Sequence, residues 1–236
     1  MKAGVAQIVL HRDINSNVEK ISFYVEQARE LKLDILCFPE CSLTGYMRDF
    51  SAISNGEIET ALSSIHRQAI ENNLNVIMGT PYWENDMLFN AAAVLLTNNK
   101  RLIYCKNNLT DFDKQYFSSG QDRLMFEVNG VGCGVLICRD QNYPLLAQEY
   151  ARSAVRIIFF LSAHYYPPHE ARLKVEKNRA LPIARAVENR LFVAKANAVG
   201  SQDNRISLGH SMIVNPEGLI VREADEEQEQ LLHHEI

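Results

Sequence analysis

The sequence predicts an α/β layered fold built on mixed sheets. Three observations predict it. In the first part of the chain, apolar runs alternate with amphipathic helical patterns. Further on, several strand patterns follow one another with no helix between them, which does not fit a strictly alternating barrel. Finally, 236 residues at 47% hydrophobic and 22% charged suit a single soluble domain over residues 1–236. A chain of that size buries roughly 70–75% of its unfolded surface without help from a disulfide or a metal.

The elements follow in order. Ala3 to Leu10 reads as a strand. Ile14, Val18, Ile21, Val25 and Ala28 recur at helical steps, with Asn15 or Ser16 as the expected cap. Leu33 to Phe38 is a short buried strand ending at Pro39. Ile58, Leu62, Ile65 and Ala69 mark a second helix, and Val76 to Thr80 the next strand. Asn90–Leu96 and Arg101–Lys106 form a hairpin across Thr97–Lys100. Val131 to Cys138 is a glycine-rich strand, and Pro144 to Ala154 a helix with proline in its first turn. Val155–Leu161 is a fully apolar strand, and Glu170–Asn189 a long helix that Pro182 is expected to kink or break. Leu191–Ala196 and His210–Val214 are strands, and Asn215-Pro216-Glu217-Gly218 turns into a last short one. The acidic run Glu223–Glu229 is expected to be a solvated loop.

Composition narrows the function. With 24 basic against 29 acidic residues, the net charge of −5 argues against binding nucleic acid by phosphate neutralisation. No apolar run approaches the roughly 20 residues of a membrane span. The start, Met1-Lys2-Ala3-Gly4-Val5, reads as a strand and not as a signal peptide. Five cysteines, an odd count, then fit a reducing, cytoplasmic compartment with at least one free thiol.

In layered α/β folds, reactive groups collect where strands end. Three residues stand there: Glu40 after Leu33–Phe38, Lys106 after Arg101–Cys105, and Cys138 after Val131–Ile137. Each alone has an ordinary structural explanation as core thiol, loop acid or solvated cation. Together they suffice for acyl transfer through a thioester. A thiol must lose its proton to attack. Glu40 is placed to take that proton and return it to a leaving amine, and Lys106 to face the oxyanion. The backbone N–H of Arg139 is a second candidate donor. A Cys–His arrangement with His164 or His210 lacks a local signature around the cysteine. Cys37 and Cys41 have no second ligand pair at zinc spacing.

The segments around these residues resemble the nitrilase superfamily of carbon–nitrogen hydrolases. Val5-Ala6-Gln7 is similar to its opening, and Phe38-Pro39-Glu40-Cys41-Ser42-Leu43-Thr44-Gly45-Tyr46 to its glutamate motif. Leu88-Phe89-Asn90-Ala91 resembles a short segment of the family. Tyr104-Cys105-Lys106-Asn107-Asn108-Leu109 with Tyr116-Phe117-Ser118-Ser119-Gly120 resembles its lysine motif. Gly134-Val135-Leu136-Ile137-Cys138-Arg139-Asp140 with Tyr143-Pro144 resembles its cysteine motif. Arg185–Asn189, Ala196–Gly200, Gly209-His210-Ser211 and Asn215–Gly218 resemble its later segments, all in family order. The resemblance implies a four-layer α-β-β-α sandwich and cofactor-free hydrolysis of a non-peptide C–N bond. It implies Cys138 as nucleophile, Glu40 as general base and Lys106 as transition-state stabiliser. The partner is then a small linear amide or N-carbamoyl compound and water, and the chain self-associates as a homodimer or larger homo-oligomer.

Two departures stand out. Asp113 replaces a family glutamate and is an accessory carboxylate one methylene shorter; Leu145 stands where glutamate is common. Asp113 keeps open a second reading, a catalytically weak binding or scaffold protein. Tyr46, Arg139, His164 and Tyr165 are the expected pocket residues, with Arg139 or His164 as the anchor for a substrate carboxylate. Arg139 has a structural alternative, pairing with an acid such as Glu149.

Overall fold

The computed structural model describes residues 1–46 and 48–236. Its elements in chain order are β1 (Lys2–Val9), α1 (Ile14–Glu30), β2 (Ile35–Cys37), α2 (Asn55–Glu71), β3 (Asn75–Glu84), β4 (Met87–Leu95) and β5 (Arg101–Cys105). These are followed by β6 (Met125–Val128), β7 (Val131–Ile137), α3 (Pro144–Arg152), β8 (Ile157–Ser162), α4 (Pro168–Asn189) and β9 (Phe192–Gln202). The chain closes with β10 (Arg205–Leu208), β11 (Met212–Val214), β12 (Ile220–Glu223) and β13 (Gln230–Glu235).

The strands form two mixed half-sheets. In the first, β1, β2 and β3 are parallel, β4 and β5 extend the sheet antiparallel, and β13 runs antiparallel on the other side of β1. In the second, β7, β8 and β9 are parallel, flanked by antiparallel β6 at one side and β11 with β12 at the other. A two-residue parallel junction, Ile8↔Ala198 and Val9↔Val199, joins the halves into one curled sheet.

Strand alternation sorts the side chains into layers. Ala6, Ile8, Leu36, Val76 and Met78 pack with Ile21, Val25 and Ala28 of α1 and with Ile58, Leu62, Ile65 and Ala69 of α2. The alternate residues Ala3, Val5, Ile35, Cys37 and Ile77 join the cluster that holds Cys133, Val135, Ile137, Phe159 and Leu161. On its other face β7 is covered by α3: a Cβ at Gly134 would lie 2.8 Å from the Tyr150 ring. The result is the expected four-layer α-β-β-α arrangement. Among the described residues, no helix is long and apolar enough to cross a membrane.

Several local expectations are corrected. The α1 cap is Asp13, whose carboxylate accepts from the Ser16 amide at 2.7 Å. The strand read as Val76–Thr80 runs on through Pro81 to Glu84, because Asn85 and Asp86 both take positive φ and close a tight hairpin to β4. Asn129-Gly130 makes a second such hairpin, pairing β7 with β6, which the hydrophobic pattern did not reveal. The α4 helix continues through Pro182. A proline there removes the amide that would bond to the Asn178 carbonyl. Lys195 supplies the missing donor, its buried Nζ standing 3.0 Å from that oxygen. Finally, the acidic run is not simply solvated. Glu223 holds Arg179 and His210, Glu226 holds Arg172 and His210, and Glu229 holds Lys20.

Candidate active site

Lys106 follows β5 and extends its ladder by one bond, its amide donating to the Asn90 carbonyl at 2.8 Å. Cys138 follows β7 and opens a short 3-10 turn, Cys138–Asn142, with a φ of +45°. Such a backbone is uncommon outside glycine and marks a sharp reversal from strand to helix. Glu40 sits in the turn after β2, pressed onto β3. A Cβ at Gly79 would lie 2.2 Å from the Cys41 nitrogen and 2.7 Å from the Glu40 carbonyl carbon. Only glycine lets the strand approach that turn.

These three elements bring the side chains together. Lys106 Nζ lies 2.5 Å from Glu40 Oε1 and 2.7 Å from Asp113 Oδ2, with all three side chains fully buried. Asn90 Nδ2 donates to Glu40 Oε1 at 2.8 Å, and the Ala163 amide donates to Glu40 Oε2 at 3.1 Å. The Cys138 thiol belongs to the same cluster, close enough for the Glu40 carboxylate to act on it electrostatically. Asp113 therefore reaches Lys106 despite its shorter side chain. Its own turn holds it there: Oδ2 accepts from the Thr110 amide at 2.8 Å and Oδ1 from the Tyr46 hydroxyl at 3.0 Å.

The electrostatics follow from burial and pairing. Burial is the largest single influence and works against the Lys106 ammonium, but Glu40, Tyr46, Cys138 and Asp113 together outweigh it, and the pKa is held well above the ordinary lysine value. Burial raises the Glu40 pKa above the usual carboxylate value, against the pull of Lys106. Burial also raises the Cys138 pKa, and Glu40 raises it further. Cys138 thus rests as a protonated thiol. Asp113 stays ionised: burial raises its pKa, but the Lys106 charge and its hydrogen bonds lower it more.

Asp140 shapes the turn after Cys138 and reaches beyond it. Its carboxylate accepts from the Ile137 amide at 3.1 Å, the Asn108 amide at 2.8 Å and the Tyr104 hydroxyl at 2.8 Å. It ties the cysteine turn to the strand and loop that carry Lys106. Glu188 and Asn189 brace α4, Glu188 pairing with Arg185 and the Asn189 side chain donating to the Arg185 carbonyl.

A pocket of about 210 Å³ opens onto Cys138. Three residues expected there, Tyr46, His164 and Tyr165, line it. Arg139 does not. Its side chain is half-buried outside the pocket and forms no ion pair among the described residues; Glu149 pairs with Arg123 instead, at 2.8 Å. His164 is also corrected as a cationic anchor. Burial, then the charges of Lys195, Lys177 and Lys106, push its pKa well below the ordinary histidine value, so the ring is neutral at neutral pH. Its Nε2 faces the Gln141 side-chain amide at 3.2 Å, while its buried Nδ1 has no partner.

Sequence reasoning missed five lining residues, Thr110, Phe112, Ala163, Tyr166 and Arg205, which come from loops and the first residue of β10 and carry no periodic signal. It also missed Asn90 as a site residue. Asn90 is a polar residue inside an otherwise apolar strand, where burial demands a partner.

The fold and this cluster define the class, the nitrilase superfamily. Within it the chain belongs to the carbon-nitrogen hydrolase family, whose profile matches residues 2–236. It is 33% identical over 228 residues to a glutamine-dependent NAD(+) synthetase of Aquifex aeolicus, covering 93% of this chain but only 39% of that protein. It is 26% identical to the 2-oxoglutaramate amidase of Bacillus subtilis, covering 91% of this chain and 82% of the relative. An amidase of the nitrilase superfamily from Nesterenkonia AN1 superposes with a TM-score of 0.89 at 21% identity, over 99% of this chain and 89% of that one.

Proposed function

We propose that the protein is an amidase: it hydrolyses a small linear amide through a thioester on Cys138, with an N-carbamoyl compound as the variant substrate. The observation that carries this reading is a buried ammonium–carboxylate pair acting on a buried thiol that lines one pocket. The Cys138 sulfur attacks the amide carbon while its proton passes to Glu40, forming the C–S bond. Lys106 Nζ and the Arg139 amide stabilise the oxyanion. As the intermediate collapses, the C–N bond breaks and Glu40 returns the proton to the departing ammonia. Glu40 then takes a proton from water, the resulting hydroxide attacks the thioester, and the acid leaves as the thiol is restored.

The relatives support the reaction class. Two are named for amides, as 2-oxoglutaramate amidase and deaminated glutathione amidase. The scaffold alternative rested on Asp113, and the 2.7 Å contact of that residue with Lys106 weakens its ground. A panel of amides, carbamoyl amines and carbamoyl acids, read by ammonia release, tests the proposal. We expect turnover of at least one amide by the wild type and none by Cys138→Ala. Equal release by both proteins contradicts it.

A further inference from the structure

The pocket contains a cation whose charge no partner answers among the described residues. Arg205 lines the same pocket as Cys138, yet its guanidinium has no hydrogen-bond or ion-pair partner among the described residues. Other charged groups nearby are engaged. Lys106 is held between Glu40 and Asp113, and Asp203, the acid in the adjoining turn, is taken by Arg12.

The backbone around Arg205 is fixed. Asp203 and Asn204 both take positive φ, making a tight turn between β9 and β10. One residue later, Ile206 exchanges two backbone hydrogen bonds with Tyr166, at 2.8 and 3.0 Å. Tyr166 is itself a lining residue, and its ring stacks on His164 at 6.2 Å between centroids. The side of the pocket that carries Arg205 is therefore pinned to the segment Ala163–Tyr166, whose Ala163 amide holds Glu40. A second unanswered group sits on that segment: the buried Nδ1 of His164.

We propose that Arg205 is a specificity residue that binds a carboxylate on the substrate's acyl chain, so that the preferred substrates are short monoamides of dicarboxylic acids. This rests on the amidase reading above. A guanidinium matches a carboxylate with two parallel N–H donors, and such charge-assisted pairs are stronger than neutral ones. The chemistry favours selection at this position. Tyr46, Phe112 and Tyr166 give the pocket aromatic walls, so a neutral amide leaves the guanidinium without an anion. His164 is neutral and brings no second charge to the pocket.

The test compares glutaramate with valeramide, which has a methyl group in place of the carboxylate. In the wild type, kcat/KM should favour glutaramate. In Arg205→Ala and Arg205→Gln the glutaramate-to-valeramide ratio should fall by about 10- to 100-fold, the range of a charged hydrogen bond. Arg205→Lys should restore part of it. An unchanged ratio in both variants overturns the proposal. Binding supplies an arm that does not need turnover. On a Cys138→Ala background, calorimetry should show glutaramate binding more tightly than valeramide, with the preference removed by adding Arg205→Ala. Preference in binding with no hydrolysis by the wild type would sink the amidase reading and leave the Arg205 assignment standing. Hydrolysis with no preference would do the reverse.

Discussion

At the scale of single residues, the proposed reaction depends on one proton moving between two buried groups. Glu40 acts electrostatically on the Cys138 thiol and touches Lys106, so the proposed reaction uses it as both base and counter-ion. Its raised pKa has a consequence for pH. A base works only when deprotonated, so kcat/KM for the amide should rise with pH through the Glu40 titration. Burial puts that acid limb above the ordinary glutamate value of about 4.3. A pH profile of the free enzyme checks this; a limb at or below the ordinary value contradicts it. Glu40→Gln retains the size and most hydrogen bonds while removing the base, and should lower kcat/KM by about 10²–10⁴-fold. At this scale the sequence was informative about Glu40, Lys106 and Cys138, because reactive types stood directly after buried runs. It was uninformative about Arg205 and Tyr166. Their approach to Cys138 depends on a turn and a bridge between residues 40 positions apart, and no local pattern encodes that.

At the scale of elements, α4 and β9 are coupled through a proline and a lysine. Pro182 leaves the Asn178 carbonyl without its helical donor, and Lys195 reaches across from β9 to fill the gap. Pro182 alone suggests a broken helix; the remedy lies in another strand, so reading one segment at a time gives the wrong outcome. Burial lowers the Lys195 pKa to about 8. The sign follows from linkage. Between that value and the unfolded lysine value near 10.4 the unfolded chain binds more protons, so stability rises with pH by about 3 kcal/mol across the window. Denaturant unfolding of the wild type and Lys195→Met between pH 7 and 10.5 should show this difference, with the slope flatter in the variant. Identical slopes would contradict it. Lys195→Met also strands the Asn178 carbonyl, and Pro182→Ala restores an amide to it. The double variant should therefore be more stable than Lys195→Met alone, with a coupling of about 0.5–3 kcal/mol.

At the scale of the whole molecule, two half-sheets carry the three reactive groups on strands that are far apart in the chain. Glu40 and Lys106 come from the first half-sheet and Cys138 from the second, so the site exists only when the sheets are packed face to face. Asp140 locks that relation by bonding Tyr104 and Asn108 across the layers. The α/β class was legible because helical and strand periodicities alternate. The short strands β6 and β13 were not: one is partly exposed and the other is an edge strand, so neither shows a full buried face.

The central claim is that Cys138 carries the acyl group, and intact-protein mass spectrometry after rapid acid quench tests it most directly. During turnover of a good amide, the wild type should gain the mass of the acyl group, the label should map to Cys138 and hydroxylamine should remove it. Cys138→Ala should gain nothing. An acyl adduct on another residue, or equal turnover by wild type and Cys138→Ala, would contradict the account.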